Sequence, residues 1–214
     1  MAFSYVGNFP NQQVSNSGVL SLDDINNLES TGELGGSLEL IEEQTISSAY
    51  ADFTSLQESK YDVLMFQLEK VTPTTNGHNI GFRFSNNGGT SFISSGYQYA
   101  WQRGYPSTFT DINSTSSDRI LANGGIGNGS EDGLNGYIYL YNLGNSSKYS
   151  FASWHLNGSY TSVSFFTIFS FGGGVLPTAE VHNAVRFGSD SFNTLAGGTI
   201  KLYGVKQIWV TLDY

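Results

Sequence analysis

Cysteine is absent from the 214 residues. That excludes disulfides, a thiol nucleophile and thiolate metal sites, and it leaves the redox compartment unspecified. Charge is also scarce. Asp, Glu, Lys and Arg supply only 13% of the chain, which opposes a helical bundle with its Glu- and Lys-rich solvent faces. Histidine occurs only at His78, His155 and His182, without His-x-His or His-Glu-x-x-His spacing. Zinc is therefore unsupported, and no metal or cofactor is expected. No run of about 18 apolar residues exists, so nothing is expected to span a bilayer. The longest apolar-rich run, Val163 to Phe171, is one strand long and is broken by Ser and Thr.

Basic residues are outnumbered, and the net charge is −9. Such a surface repels phosphate, so nucleic acid and anionic membranes are not expected partners. The opening Met1-Ala2-Phe3-Ser4-Tyr5 lacks the basic and apolar regions of a signal peptide. Asn-x-Ser/Thr sequons begin at Asn113, Asn128, Asn145 and Asn157, as chance produces in an Asn- and Ser-rich chain. What is present in quantity is aromatic side chain, at 14%, and glycine, at 26 residues. Aromatics fill a core with few residues, and glycine marks frequent turns.

Residues 1 to 44 read as an N-terminal arm. One short helix is expected there, capped by Ser21, with Leu22, Ile25 and Leu28 on one face as candidate docking residues. From residue 45 to 214 the pattern is strand, turn, strand. Tyr61 to Val71 is apolar on both faces at its centre, as a central strand is. Turns are expected at Thr74-Thr75-Asn76-Gly77 and Asn86-Asn87-Gly88-Gly89, flanking the alternating Ile80, Phe82 and Phe84. Residues 104 to 134 hold few apolar side chains and read as a long loop region, with only Arg119 to Ala122 strand-like. Tyr137 to Tyr141 alternates tyrosine with aliphatics. Asn157-Gly158-Ser159 reads as a hairpin turn, and Gly172-Gly173-Gly174 as a break. Further strands are expected at Val181 to Phe187, Thr199 to Tyr203 and Gln207 to Leu212. Strand-length units without helical spacers predict an all-β, antiparallel two-sheet sandwich of jelly-roll type.

Two stretches carry a resemblance. Ala184-Val185-Arg186-Phe187 followed by Gly198-Thr199-Ile200-Lys201-Leu202-Tyr203-Gly204-Val205 resembles the closing strands of jelly-roll modules on bacteriophage virion proteins. Phe53-Thr54-Ser55-Leu56, the strand at Tyr61, and Ile80 to Gly89 resemble the opening strands. The resemblance covers about residues 45 to 205 and contains no catalytic motif. It implies a lectin-like jelly roll on the virion exterior, as a capsid-decoration, fibre or tail-associated protein. It also implies a homotrimer tethered by its N-terminal arm to the major capsid protein or to a tail or fibre component. The corresponding expectation is a structural protein acting by protein–protein contacts, and not an enzyme. The alternative is a carbohydrate-binding or receptor-binding module for a cell-surface glycan.

The candidate glycan platform is Tyr97, Tyr99, Trp101 and Tyr105, with Gln98, Gln102 and Arg103 near by, because sugars stack on such rings while amides orient them. The same rings also suit a core or a subunit contact, and Tyr137, Tyr139 and Tyr141 share that ambiguity. Phe165, Phe169 and Phe171 are expected in the core. A polysaccharide lyase would need a neutralising Arg with His and Tyr; Arg83, His78, Tyr97 and Tyr99 are the right types, without a spacing that requires convergence. Asp23-Asp24, Glu42-Glu43 and Glu131-Asp132 are adjacent pairs that point apart in a strand, unlike a glycosidase pair. Glu131-Asp132-Gly133 is a weak calcium-loop candidate.

Overall fold

The computed structural model describes residues 37–161, 165–189 and 195–206. The chain divides into two units, Met1–Glu39 and Leu40–Tyr214, and the second carries the fold. The helix expected near Ser21, with its docking candidates Leu22, Ile25 and Leu28, lies outside the described residues. So does the strand expected at Gln207 to Leu212.

The described residues form twelve strands and no helix. They are β1 (Leu38–Thr45), β2 (Ala51–Phe53), β3 (Val63–Pro73), β4 (His78–Ser85), β5 (Tyr97–Tyr105), β6 (Thr108–Ser117), β7 (Ile120–Ile126), β8 (Gly133–Tyr141), β9 (Ser150–Thr161), β10 (Phe165–Leu176), β11 (Ala184–Ser189) and β12 (Leu195–Val205). Two antiparallel sheets result. One has eight strands in the order β1-β12-β3-β8-β9-β10-β5-β6, and the other has four in the order β2-β11-β4-β7.

The core lies between them, and period two explains who enters it. Leu64, Phe66 and Leu68 of β3, Ile138 and Leu140 of β8, and Ile200 and Leu202 of β12 point inward from the larger sheet. Phe53, Phe82, Phe84 and Phe187 answer from the smaller one. Phe66 meets Phe53 and Phe187 edge-on, each at 5.0 Å between centroids, a geometry that adds about 1 kcal/mol per pair beyond burial.

Three readings of the sequence are corrected. Residues 104 to 134 are not a loop region: β6 and β7 occupy most of them. β6 is the last strand of its sheet and is largely exposed, so its Ser, Thr, Asn and Asp carry no apolar alternation to read. Asn157-Gly158-Ser159 is not a turn but the middle of β9, paired with both β8 and β10. A Cβ at Gly158 would lie 2.7 Å from the Gly133 carbonyl oxygen and 2.8 Å from Ile126 Cδ1. The glycine there provides space, not a bend. Gly172-Gly173-Gly174 likewise runs through β10. Gly172 sits across from Trp101, and a Cβ there would stand 2.3 Å from the Trp101 Cβ. The expected turns at 74–77 and 86–89 do lie between strands.

Candidate binding surface

β5 puts Tyr97, Tyr99, Trp101 and Tyr105 on one face, as alternation requires, but that face looks toward the second sheet. Tyr97 is fully buried and Trp101 is 4% exposed. The Tyr97 hydroxyl accepts from Phe84 N at 2.7 Å and donates to Ile93 O at 3.2 Å. Burial pushes its phenol well above the usual range, against the opposing Phe84 hydrogen bond. Tyr99 and Tyr105 are half-buried, and Tyr105 lies under the Arg103 guanidinium at 5.0 Å. The four rings therefore do not make an open platform. A strand pattern says which side chains share a face, not what covers it.

The open aromatic surface is on the other side of the same sheet. One row of paired residues crosses seven strands: Lys201, Gln67, Tyr137, His155, Phe171, Gln102 and Asp111. At about 4.8 Å per strand the row is roughly 29 Å wide. The flanking rows add Tyr139 and, on either side, Tyr141 with Phe151, and Phe169 with Phe109. Seven rings touch in sequence, from Tyr141 through Tyr139, Tyr137, His155, Phe171 and Phe169 to Phe109, with centroids 5.5 to 6.4 Å apart. Phe109 is 62% exposed, Phe151 45%, Tyr137 42% and Phe171 42%. Phe169 and Phe171 thus correct the expectation that they are core. Their strand turns Ile168, Ser170, Gly172 and Gly174 inward, because Trp101 and Ile120 already fill that space. The glycine-lined alternate face of β10 was the available signal: something large had to lie against it.

Beyond Phe169 and Tyr137 the face ends in a polar cleft of about 460 Å³, lined by Lys70, Glu131, Asn135, Asn157, Ser159 and Thr167, with Asp132 at its base. Asp132 is 1% exposed. Its carboxylate accepts from Ser159 Oγ at 2.9 Å and from Gly129 N at 3.1 Å, which ties down the loop before β8. Among the described residues no group of three or more His, Asp or Glu gathers as a metal site.

The lyase candidates are engaged elsewhere. Arg83 donates to the Asp118 carbonyl at 2.8 Å and is ion-paired with the Asp118 carboxylate. Burial works to raise the Asp118 carboxyl, but Arg119 and Arg83 outweigh it and hold the group below its ordinary range. His78 opens β4 and is half-buried, and Tyr97 is inaccessible.

One polar cluster gave no sign in the sequence. Ser150 Oγ lies 2.7 Å from His182 Nδ1, and Glu180 Oε1 lies 3.3 Å from His182 Nε2. These are the residue types of a hydrolase triad, but Ser150 and His182 are fully buried, so no substrate reaches the hydroxyl. Burial lowers the His182 pKa, and Glu180 opposes this. The cluster joins the segment before β11 to β9, and His182 N donates to Leu143 O at 2.8 Å.

No protein-family model, curated protein or solved structure matches this chain. No helix among the described residues is long and apolar enough to cross a membrane.

Proposed function

We propose that this chain is a structural module of a bacteriophage particle, of capsid-decoration or fibre type. It works by protein–protein contacts on the virion exterior and assembles as a homotrimer. The observation that carries the reading is the aromatic row on the open face of the eight-stranded sheet. Contiguous exposed aromatic surface of this extent marks an interaction site, and interface cores are enriched in Tyr and Phe and depleted of charge. Here charge stands at the edges of the rows, as Lys201 paired with Glu69 on one side and Asp111 on the other, although the chain carries −9 overall. Four rows about 6.8 Å apart make a patch of roughly 600 Å² in projection. Relief of the side chains brings this toward the roughly 800 Å² that each partner contributes to a stable interface. The occupant is a second copy, because an aromatic face with its charge at the edges lets like-charged subunits approach.

The strand order supports the jelly-roll reading. Setting aside the β5–β6 and β9–β10 pairs leaves β1-β12-β3-β8 and β2-β11-β4-β7. Those are two four-stranded sheets of interleaved order, as eight-stranded jelly rolls have. The added pairs widen the first sheet and carry four of the seven residues of the central row.

Light-scattering mass of the purified full chain tests the assembly. Three times the chain mass is expected for wild type, and a monomer for Phe171→Lys with an unchanged far-ultraviolet spectrum. A monomeric wild type, or a trimer indifferent to Phe171→Lys, overturns the contact surface. Loss of the protein from purified particles at moderate salt overturns the virion reading.

A further inference from the structure

The polar cleft at the end of the sheet is built around a distorted strand. Alternation puts Gln67 and Glu69 of β3 on the outer face, which would turn Lys70 into the core. Instead the register of β3 slips against β8 between Leu68 and Val71, and Lys70 takes a φ of 52°. Left-handed backbone at a lysine costs about 1 kcal/mol, and bulges of this kind re-aim a side chain beside functional sites. Both neighbouring strands make room for it. A Cβ at Gly198 would lie 2.4 Å from the Lys70 carbonyl oxygen, and one at Gly133 would lie 3.0 Å from Lys70 Cα. Asn135 Oδ1 then accepts from Lys70 N at 2.9 Å. Three residues on two strands thus hold Lys70 out of the core and over the cleft.

What it joins there is a set of unspent hydrogen-bonding groups. The side chains of Glu131, Asn157 and Thr167 are exposed, and none has a hydrogen-bond partner among the described residues. Tyr137 lies two residues along β8 from Asn135, and Phe169 is paired with Asn157 across to β10. The cleft's own lining is polar throughout, and Tyr137 and Phe169 stand at its border, so a ligand longer than the cleft meets amide, carboxylate, ammonium and hydroxyl groups inside it and aromatic ring beside it.

We propose that this cleft is a saccharide-binding site for a neutral or amino sugar. Its hydroxyls would be bound by Lys70, Glu131, Asn157 and Thr167, and its apolar ring face would rest on Tyr137 or Phe169. Sugars combine dense hydroxyls with an apolar ring face, which matches a polar cleft bordered by aromatic rings. An anionic ligand is disfavoured by Glu131, by Asp132 and by the net charge, against the single cation Lys70. A bare cation is disfavoured because no ligand cluster is present among the described residues. A single chain carries the polar lining of the cleft, but Tyr137 and Phe169 also lie in the face assigned to the subunit contact, so a sugar resting on those rings competes with assembly through them.

The test is titration calorimetry of the full chain with maltotetraose, cellotetraose, chitotetraose and the chitosan tetramer, with a hyaluronan tetramer as the acidic arm, at millimolar concentration. Binding of at least one neutral or amino oligosaccharide is expected. Asn157→Ala should weaken it at least tenfold, and Ser146→Ala, in the exposed loop between β8 and β9, should not. Lys70→Gly relieves the strained backbone; it should raise Tm and yet weaken binding, a pairing that a purely structural Lys70 would not show. No binding to any oligosaccharide, binding to the acidic arm alone, or binding indifferent to both Asn157→Ala and Lys70→Gly overturns the site. Light-scattering mass of the same samples reads the assembly separately.

Discussion

Adjacent glycines in β10 should respond unequally to the same substitution. Gly172 faces inward, and an added Cβ would lie 2.3 Å from Trp101 Cβ and 2.5 Å from the Ala100 carbonyl oxygen. Neither atom is the free end of a flexible side chain, so two central strands must separate to admit the methyl group. Overpacking of this kind costs about 1–3 kcal/mol, and contact with backbone and Cβ places Gly172→Ala near the upper end, at about 3 kcal/mol. Gly173 faces outward, where the nearest atom to an added Cβ is the Ala152 carbonyl oxygen at 3.2 Å. That mild crowding is offset by the roughly 0.4–1 kcal/mol gained when alanine restricts the unfolded chain. Gly173→Ala should stay within about 1 kcal/mol of wild type. With about 2–4 °C per kcal/mol for a domain of this size, Gly172→Ala should lower Tm by roughly 6–12 °C and Gly173→Ala should shift it by at most about 4 °C. Thermal unfolding followed by circular dichroism, with urea midpoints as a second measure, decides the matter. Equal losses for the two variants would refute the assignment of inward and outward faces in β10, and with it the placement of Phe169 and Phe171 on the open surface.

Two further outcomes rest on polar groups. His182 is held below its ordinary pKa by burial, so the folded chain resists a proton that the unfolded chain accepts near 6.5. Its contribution is therefore full above that pH and is lost as pH falls below it, with a slope of at most about 1.4 kcal/mol per pH unit for one proton. Urea midpoints between pH 7.5 and 5 should fall for wild type and flatten for His182→Gln; parallel curves would contradict this. Arg186 donates twice to Asp52, at 2.6 Å each, and lies 3.8 Å from the Tyr50 ring centroid and 4.2 Å from that of Phe92. Lysine keeps the charge but loses the planar fork and the stacking. Arg186→Lys should cost about 1–2 kcal/mol at these partly exposed positions, read from urea midpoints, and a loss under about 0.3 kcal/mol would contradict it.

The sequence left Tyr97 and Trp101 open between a sugar platform and a core, and it placed Phe169 and Phe171 in the core. Tyr97 and Trp101 carry the residue types of a sugar platform, and Phe169 and Phe171 those of a core, yet each pair occupies the other's place. A large ring on a strand is compatible with either side of a sheet. The cleft was still less legible. Lys70, Glu131, Asn135 and Asn157 are scattered over some ninety residues of sequence, and only the pairing of β3, β8 and β9 brings them to one end of one face.

The sequence by itself determined that the described residues are all-β, because alternation and glycine- and asparagine-marked turns are local properties of the backbone. It determined the strands at Tyr61 to Val71, Ile80 to Phe84 and Tyr137 to Tyr141 and, apart from the slip of β3 at Lys70, which residues of each share a face. It excluded disulfides and thiol chemistry outright. Which face became core was decided only by tertiary structure. That choice depends on volumes contributed from distant strands: the room that Gly172 and Gly174 leave for Trp101 and Ile120, and the rings that Phe53, Phe66 and Phe187 bring together across the two sheets. Burial is a property of the assembled sandwich, and no single strand carries it.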